Sequence, residues 1–175
     1  FDGLPHYEPP KFVDDTPIAG VDGGDYPFHL ITYKFAWQAQ ARTATIPWLT
    51  LIQPENYVEI NASDGRRLGI GNGDPVRLVS RTSPDGVVGK AKLTEGLRPG
   101  VIAVSHHFGH WQLASRPYVV DGVRQPPDPS RGTGLTVNPI MRLDQFKGRV
   151  LNTSMKAVGE ARLGRRTANL IATGN

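Results

Sequence analysis

The chain contains no cysteine among its 175 residues. Disulfides, thiol catalysis and iron–sulfur clusters held by this chain are therefore excluded. No apolar run approaches the roughly 20 residues of a membrane helix. The longest, around Val101–Val104, is strand-sized, so no direct membrane insertion is expected. The sequence also has no internal repeat, no signal-peptide pattern, no HExxH metal pair and no Gly-Lys-Ser/Thr phosphate loop. Its charge excess is small, +4 with a pI near 9.6. That balance permits an anionic partner such as a nucleotide diphosphate, but on charge alone solubility is the favoured reading; no nucleic-acid partner is expected.

Turn formers are plentiful: glycine occurs 20 times and proline 15 times. Such a chain builds short strands and many turns, with few long helices. Residues 1–25 carry Pro, Gly and Asp without apolar periodicity and read as a linker or wrapping segment. The chain opens at Phe1, which suggests a fragment or a processed product. From Tyr26 the character changes, and 26–158 reads as the folded domain. Phe28–Tyr33 is a short run of strand formers, followed by an ordered loop over Phe35–Ala44. Pro47 opens a short helix through Leu49–Ile52, which Pro54 and Asn56 close. Tyr57–Ile60 alternates like a half-buried strand, and Asn61 or Ser63 caps a helix over Asp64–Leu68. Strands follow over Val76–Ser80, Val87–Leu93 and Val101–Val104, with Ser83-Pro84-Asp85-Gly86 as the hairpin turn. Ser105–Val137 is a long excursion of the kind that usually carries function, and Val150–Val158 offers a last strand. Residues 159–175, with Arg162, Arg165 and Arg166, read as an exposed basic C-terminal tail. The sum is a mostly-β domain with short helices, a barrel or a sandwich.

Several clusters could carry chemistry. Gly69-Ile70-Gly71-Asn72-Gly73-Asp74 has the wrong spacing and context for a dinucleotide fingerprint and reads as a glycine turn with positive φ. His106, His107 and His110 follow a strand, where Gly109 disfavours a helical metal pair. They read as hydrogen-bonding groups in a ligand-lined loop, or as surface histidines. Ser105 and His107 lack the glycine pattern of a nucleophile elbow. Lys34, Arg42 and Thr43 flank the first loop, with Trp37 between them; they suit a diphosphate, or a solvated basic loop.

The order of the segments is more specific than any of them singly. Leu30-Ile31-Thr32-Tyr33-Lys34, Trp37–Thr43, Pro47-Trp48-Leu49, Val58–Asp64, Leu68–Val76 and Ala91–Val101 follow one another in a familiar series. From about Tyr26 to Val158 the chain resembles the C-terminal molybdopterin dinucleotide-binding domain of the dimethyl sulfoxide reductase family of molybdoenzymes. The resemblance implies a double-psi β-barrel that grips one molybdopterin guanine dinucleotide. It also implies that molybdenum or tungsten is held by the cofactor, with the protein ligand to that metal outside this chain. It maps cofactor contacts onto Thr32, Tyr33, Lys34, Gln38, Gln40, Arg42 and Thr43, onto the His106–Trp111 segment (His106 and His107 above all), and onto Asn138. No catalytic residue is implied in this chain, which alone should be inactive. Implied partners are the remaining N-terminal domains of a parent catalytic subunit, with iron–sulfur and membrane-anchor subunits beyond it. Gln38-Ala39 stands where many members carry His-Thr; glutamine donates and accepts hydrogen bonds but does not titrate near neutrality. The wording around Tyr33-Lys34, Gln40–Thr43 and His107–Trp111 is most similar to the branch acting on polysulfide, thiosulfate, tetrathionate or arsenate.

Other readings of the same barrel remain open. A protein-binding module predicts an exposed apolar patch in place of a polar groove. A self-processing decarboxylase needs a Gly-Ser pair, and the chain contains none. A separate small subunit of a molybdopterin enzyme is the third alternative.

Overall fold

The structure, a computed structural model, describes residues 3–4, 7, 25–80, 83–143 and 157–165, with the backbone alone for 142–143 and 157–165. Most of the linker read over 1–25 and the possible strand over 150–156 lie outside the described residues. Strand β1 (Phe28–Tyr33) is followed by helix α1 (Pro47–Ile52), β2 (Val58–Asn61), helix α2 (Ala62–Leu68), β3 (Pro75–Ser80), β4 (Ser83–Thr94) and β5 (Val101–Ser105). A two-stranded ribbon, β6 (Tyr118–Val120) and β7 (Val123–Gln125), precedes β8 (Arg142–Leu143) and β9 (Ala157–Arg165). The domain is mostly β with short helices, as its composition implies.

One mixed sheet runs in the order β1-β5-β2-β4-β3-β9-β8, and β9 also pairs with β1. Two of its pairings are parallel, β1 with β5 and β2 with β4. Period-2 alternation sets which residues enter the core. Phe28 and Leu30 of β1, Val58 and Ile60 of β2, and Val76 and Leu78 of β3 are buried, with the residues between them partly or wholly exposed. β5 is buried from Ile102 to Ser105 because it has neighbours on both sides and cover on both faces. Leu135, Val137 and Ile140 return from the long excursion to complete the same core.

Asn61 caps α2 by accepting from the Ser63 N–H at 2.8 Å, so the helix begins at Ala62, ahead of the Asp64 expected from sequence. Asp64 instead fastens the helix to the next turn, accepting from the Gly100 N–H at 2.7 Å. Gly69 ends the helix with a φ of 64°.

Two expectations fail. Ser83–Gly86, expected as the hairpin turn, lies inside β4 instead. Ser80 pairs with Ser83 while Leu78 pairs with Val87, so Pro84, Asp85 and Gly86 form a bulge against Val79. Gly86 there has a φ of 66°, and a side chain on it would meet the Leu78 carbonyl oxygen at 2.1 Å. Pro-Asp-Gly is a signal for a sharp bend, and a bulge uses the same residue types as a turn. Second, Gly159–Arg165, expected as tail, forms part of β9, which pairs with β3 from Val76–Arg165 to Val79–Arg162. Strand pairing satisfies backbone groups whatever the side chains, so the arginines do not argue against a strand.

Asn56, expected only to close α1, is a buried cross-link. Its amide nitrogen donates to the Ser105 carbonyl at 2.6 Å and the Leu135 carbonyl at 2.9 Å, and its oxygen accepts from the Leu135 N–H at 2.8 Å. Asn56→Ala is expected to cost about 2–4 kcal/mol, from the lost bonds and the carbonyls left unpaired. Urea unfolding measures this directly, and a loss under about 1 kcal/mol would contradict the assigned role.

Candidate functional site

The parallel pairing of β1 with β5 creates the site. Tyr33 lies opposite Ser105, so both strands end at the same level and their following loops leave side by side. The two stretches singled out in the sequence, 34–43 and 106–111, are thereby neighbours. The His106 N–H donates to the Tyr33 carbonyl at 3.3 Å, one step beyond the ladder. Farther out, His106 Nε2 and Gln40 Oε1 lie 2.9 Å apart, joining the loops through side chains. Gln40 has a φ of 56°, a conformation costly for a residue with a side chain, and strain of this kind collects at functional sites.

An aromatic and imidazole stack fills the space beneath. Trp37 stacks on Phe35 with centroids 4.9 Å apart, and Phe35 lies over His107 at 6.0 Å. His107 lies 4.4 Å from His106. His107 is fully buried, and among the described residues neither ring nitrogen has a hydrogen-bond partner. Burial, and then the neighbouring His106, Lys34 and His110, depress its pKa from 6.5 to about 4. The imidazole is therefore neutral near pH 7. The surface-histidine reading is overturned for this residue, because Leu135, Phe108 and Asn56 close the core around the loop's first turn. Gly109 permits that closure: with a φ of 70°, it packs so closely that a side chain would meet the Leu135 backbone carbon at 2.4 Å.

Gln38 is also buried. The Thr43 hydroxyl donates to Gln38 Oε1 and accepts from the Ala39 N–H at 2.8 Å, while Gln38 Nε2 has no partner. Ser105 Oγ, at the end of β5, is buried and unpartnered as well. Most buried polar groups in proteins are paired, so these atoms concentrated at the ends of two adjacent strands require an explanation. Lys34 and Arg42 are exposed, and among the described residues neither has a carboxylate in ion-pair reach.

Of the residues named from sequence, Tyr33, Lys34, Gln38, Gln40, Thr43, His106 and His107 thus gather at one end of the β1–β5 pair. Tyr33 turns toward the sheet, where burial, and then the charge of Glu59 and a hydrogen bond to it, raise its pKa well above the usual phenol value. Thr32 and Arg42 are exposed beside the cluster. Asn138 opens a 3-10 turn (Asn138–Ile140) that packs on β4, β3 and β9. Its side chain is exposed, and it joins the region only through the chain leading from Leu135. Sequence reasoning misses Ser105 and Asn56 as parts of the site. A strand-ending serine and a single asparagine after a proline carry no periodic signal, and only the register shows what they face. Among the described residues no group of three His, Asp or Glu side chains is placed to hold a metal ion.

A mostly-β domain in which donors and cations at the ends of two parallel strands lack partners among the described residues has the makings of a ligand-binding domain for an anionic, acceptor-rich molecule. Comparison with known proteins gives the family: the chain belongs to the Molydopterin dinucleotide binding domain family, whose model matches residues 28–148. A selenate reductase subunit of Mesobacillus selenatarsenatis is 39% identical over 156 residues, covering 82% of this chain and 14% of that protein. A tetrathionate reductase subunit of Salmonella typhimurium is 35% identical over 142 residues, 80% of this chain and again 14% of that protein. The molybdopterin-containing subunit of arsenate respiratory reductase from a Shewanella species is 35% identical over 118 residues, 62% of this chain and 12% of that protein. The chain thus spans only a small part of the length of these relatives. The fold is shared with acetylene hydratase from Pelobacter acetylenicus, with a TM-score of 0.55 at 15% identity over 95% of this chain and 22% of that one.

The depressed pKa of His107 has a consequence for stability. The unfolded chain binds a proton at this residue near pH 6.5 and the folded chain only near 4. Stability should therefore fall as pH drops from 6.5 towards 4, and this contribution should level off below. His107→Gln should remove that part of the slope. Parallel unfolding curves for wild type and variant across this window would refute the assignment.

Proposed function

We propose that this domain grips the nucleotide and pterin of a molybdopterin guanine dinucleotide within a larger molybdenum or tungsten oxidoreductase. The observation that carries the reading is the set of buried, unpartnered polar atoms at the β1 and β5 ends, namely Gln38 Nε2, Ser105 Oγ and both His107 nitrogens, beside the exposed cations Lys34 and Arg42, which have no carboxylate partner among the described residues. These groups fit the cofactor: the pterin offers ring nitrogens, N–H groups and a carbonyl oxygen, and the diphosphate is anionic. Lys34 and Arg42 hold the diphosphate through charge-assisted hydrogen bonds. Thr32, Gln40, Thr43 and His106 flank it, whereas Tyr33, turned toward the sheet, and Asn138, on its own 3-10 turn, are assigned no contact. The neutral His107 ring donates at one nitrogen and accepts at the other, which matches a heterocycle with mixed edges. The bound cofactor supplies the redox-active metal, and this chain supplies binding and orientation.

Pairing of β9 with β3 on one side and β1 on the other supports a double-psi β-barrel as the finer description of the fold. The parent is a reductase of selenium, sulfur or arsenic oxyanions, a reading supported by the names of the relatives sharing 35–39% identity with this chain. Its metal ligand lies in other domains of the parent, and its electrons pass through iron–sulfur and membrane-anchor subunits. Trp48, Leu51 and Ile52 project from α1 with exposures of 78%, 77% and 63%, an apolar face at i, i+3 and i+4. This face suits docking against those other domains and keeps protein binding as a second role of the same molecule.

Guanosine diphosphate, titrated into the protein and followed by amide NMR shifts, tests the site. Shifts should concentrate in 32–43 and 106–111. Arg42→Ala should weaken binding about tenfold, the equivalent of losing one charge-assisted hydrogen bond. Shifts confined to the Gly69–Asp74 turn would overturn the proposal.

A further inference from the structure

The side chain of Gln38 carries information beyond membership in the site. A glutamine amide offers an acceptor on one end and a donor on the other, and it usually presents whichever end the ligand requires. Here one end is already used. The Thr43 hydroxyl has a single proton, and of the two acceptors within its reach Gln38 Oε1 is much the nearer, so the proton goes there while the oxygen accepts from the Ala39 N–H at 2.8 Å. The hydroxyl also lies 3.4 Å from the Gln40 carbonyl, a contact too long to compete with the bond to Gln38. The amide is thereby locked with its NH2 group facing away from Thr43. Gln38 is 2% exposed, and Nε2 has no partner.

We infer that Gln38 is a donor-only contact of the cofactor, that the atom it meets is a hydrogen-bond acceptor of the pterin or the phosphates, and that Thr43 is the positioning residue that fixes the amide's orientation. The inference rests on the cofactor-binding reading and adds to it the polarity of one contact. An unpaired buried donor costs the free protein stability, and a ligand oxygen or ring nitrogen placed against Nε2 recovers that cost. Because Nε2 is closed off from water, the acceptor reaches it only when the loop 34–43 yields as the ligand seats. That loop is suited to yielding: it has one 3-10 turn, Gln40–Thr43, with no buried residue, and the strained φ of 56° at Gln40. A histidine at this position would leave donor or acceptor character to its tautomer. The glutamine–threonine pair removes that choice.

The experiment uses the full-length parent enzyme with its cofactor bound, and reads the rate at which guanine nucleotide and metal are lost on incubation at about pH 8 and about pH 5.5. Gln38→Glu replaces the donor with a carboxylate that repels an acceptor. It should lose cofactor at least about tenfold faster than wild type at the higher pH, a change of about 1.4 kcal/mol. At the lower pH a carboxyl group raised by burial protonates and donates again, so the loss rate should return towards wild type measured at the same pH. Thr43→Val should accelerate loss several-fold, and Thr43→Ser, which keeps the hydroxyl, should not. A Gln38→Glu enzyme that holds cofactor like wild type at both values, or Val and Ser variants of Thr43 that behave alike, overturns the inference. Lys34→Ala and Arg42→Ala separate failure of the donor assignment from failure of the site. If they speed cofactor loss while Gln38→Glu does not, only the donor assignment fails. If none of these variants changes retention, the cofactor site itself is misplaced.

Discussion

The site depends on a single buried side chain, Asn56. Its amide, 1% exposed, ties the last residue of β5 to Leu135 with three hydrogen bonds. Ser105 is the point where β5 ends level with β1, and Leu135 is the residue against which Gly109 packs. One amide thus fixes both the height at which the two loops leave the sheet and the course of the second loop. Gly134 has no room for a side chain beside Asn56, since a Cβ there would lie 2.3 Å from Oδ1. The long excursion from 106 to 134 carries the exposed β6–β7 ribbon in its middle, while its two ends are pinned.

This division of labour explains why polar atoms can be left unsatisfied a few ångströms away. A packed core of Phe28, Leu30, Val58, Ile60, Ile102 and Val104 stabilises the strand pair. The surplus carries buried, unpartnered polar groups at Gln38, Ser105 and His107, for which the proposed function supplies partners from a ligand. Lys34 and Arg42 are exposed beside them and keep their hydration. The neutral His107 follows from the same layout: burial lowers its pKa most, and the neighbouring His106, Lys34 and His110 lower it further.

Much of this can be read from the residues in order. The strands at Phe28–Tyr33 and Val101–Val104, the helix opened by Pro47 and the glycine turn after Leu68 are local patterns, set by period, caps and positive φ, and each lies where the sequence places it within a residue or two. The loops 34–43 and 106–111 are legible as segments, but their adjacency comes from a parallel pairing, which leaves no mark in local sequence. The misread turn at Ser83–Gly86 and the tail that forms β9 share one cause. Turn formers and arginines report on local backbone and solvation, whereas bulges and long-range ladders depend on what another strand offers. Asn56 is invisible for the same reason, since its partners lie 49 and 79 residues away.

If the two loops at the ends of β1 and β5 form the shell of the bound cofactor, binding must shield their backbone. Amide hydrogen exchange on the full-length parent, compared with and without its cofactor, measures this most directly. Strong added protection is predicted at 34–43 and 106–111, with α2 and the β3–β4 hairpin unchanged. Protection centred on α2 and the Gly69–Asp74 turn, with the two loops exchanging as fast as before, would contradict it.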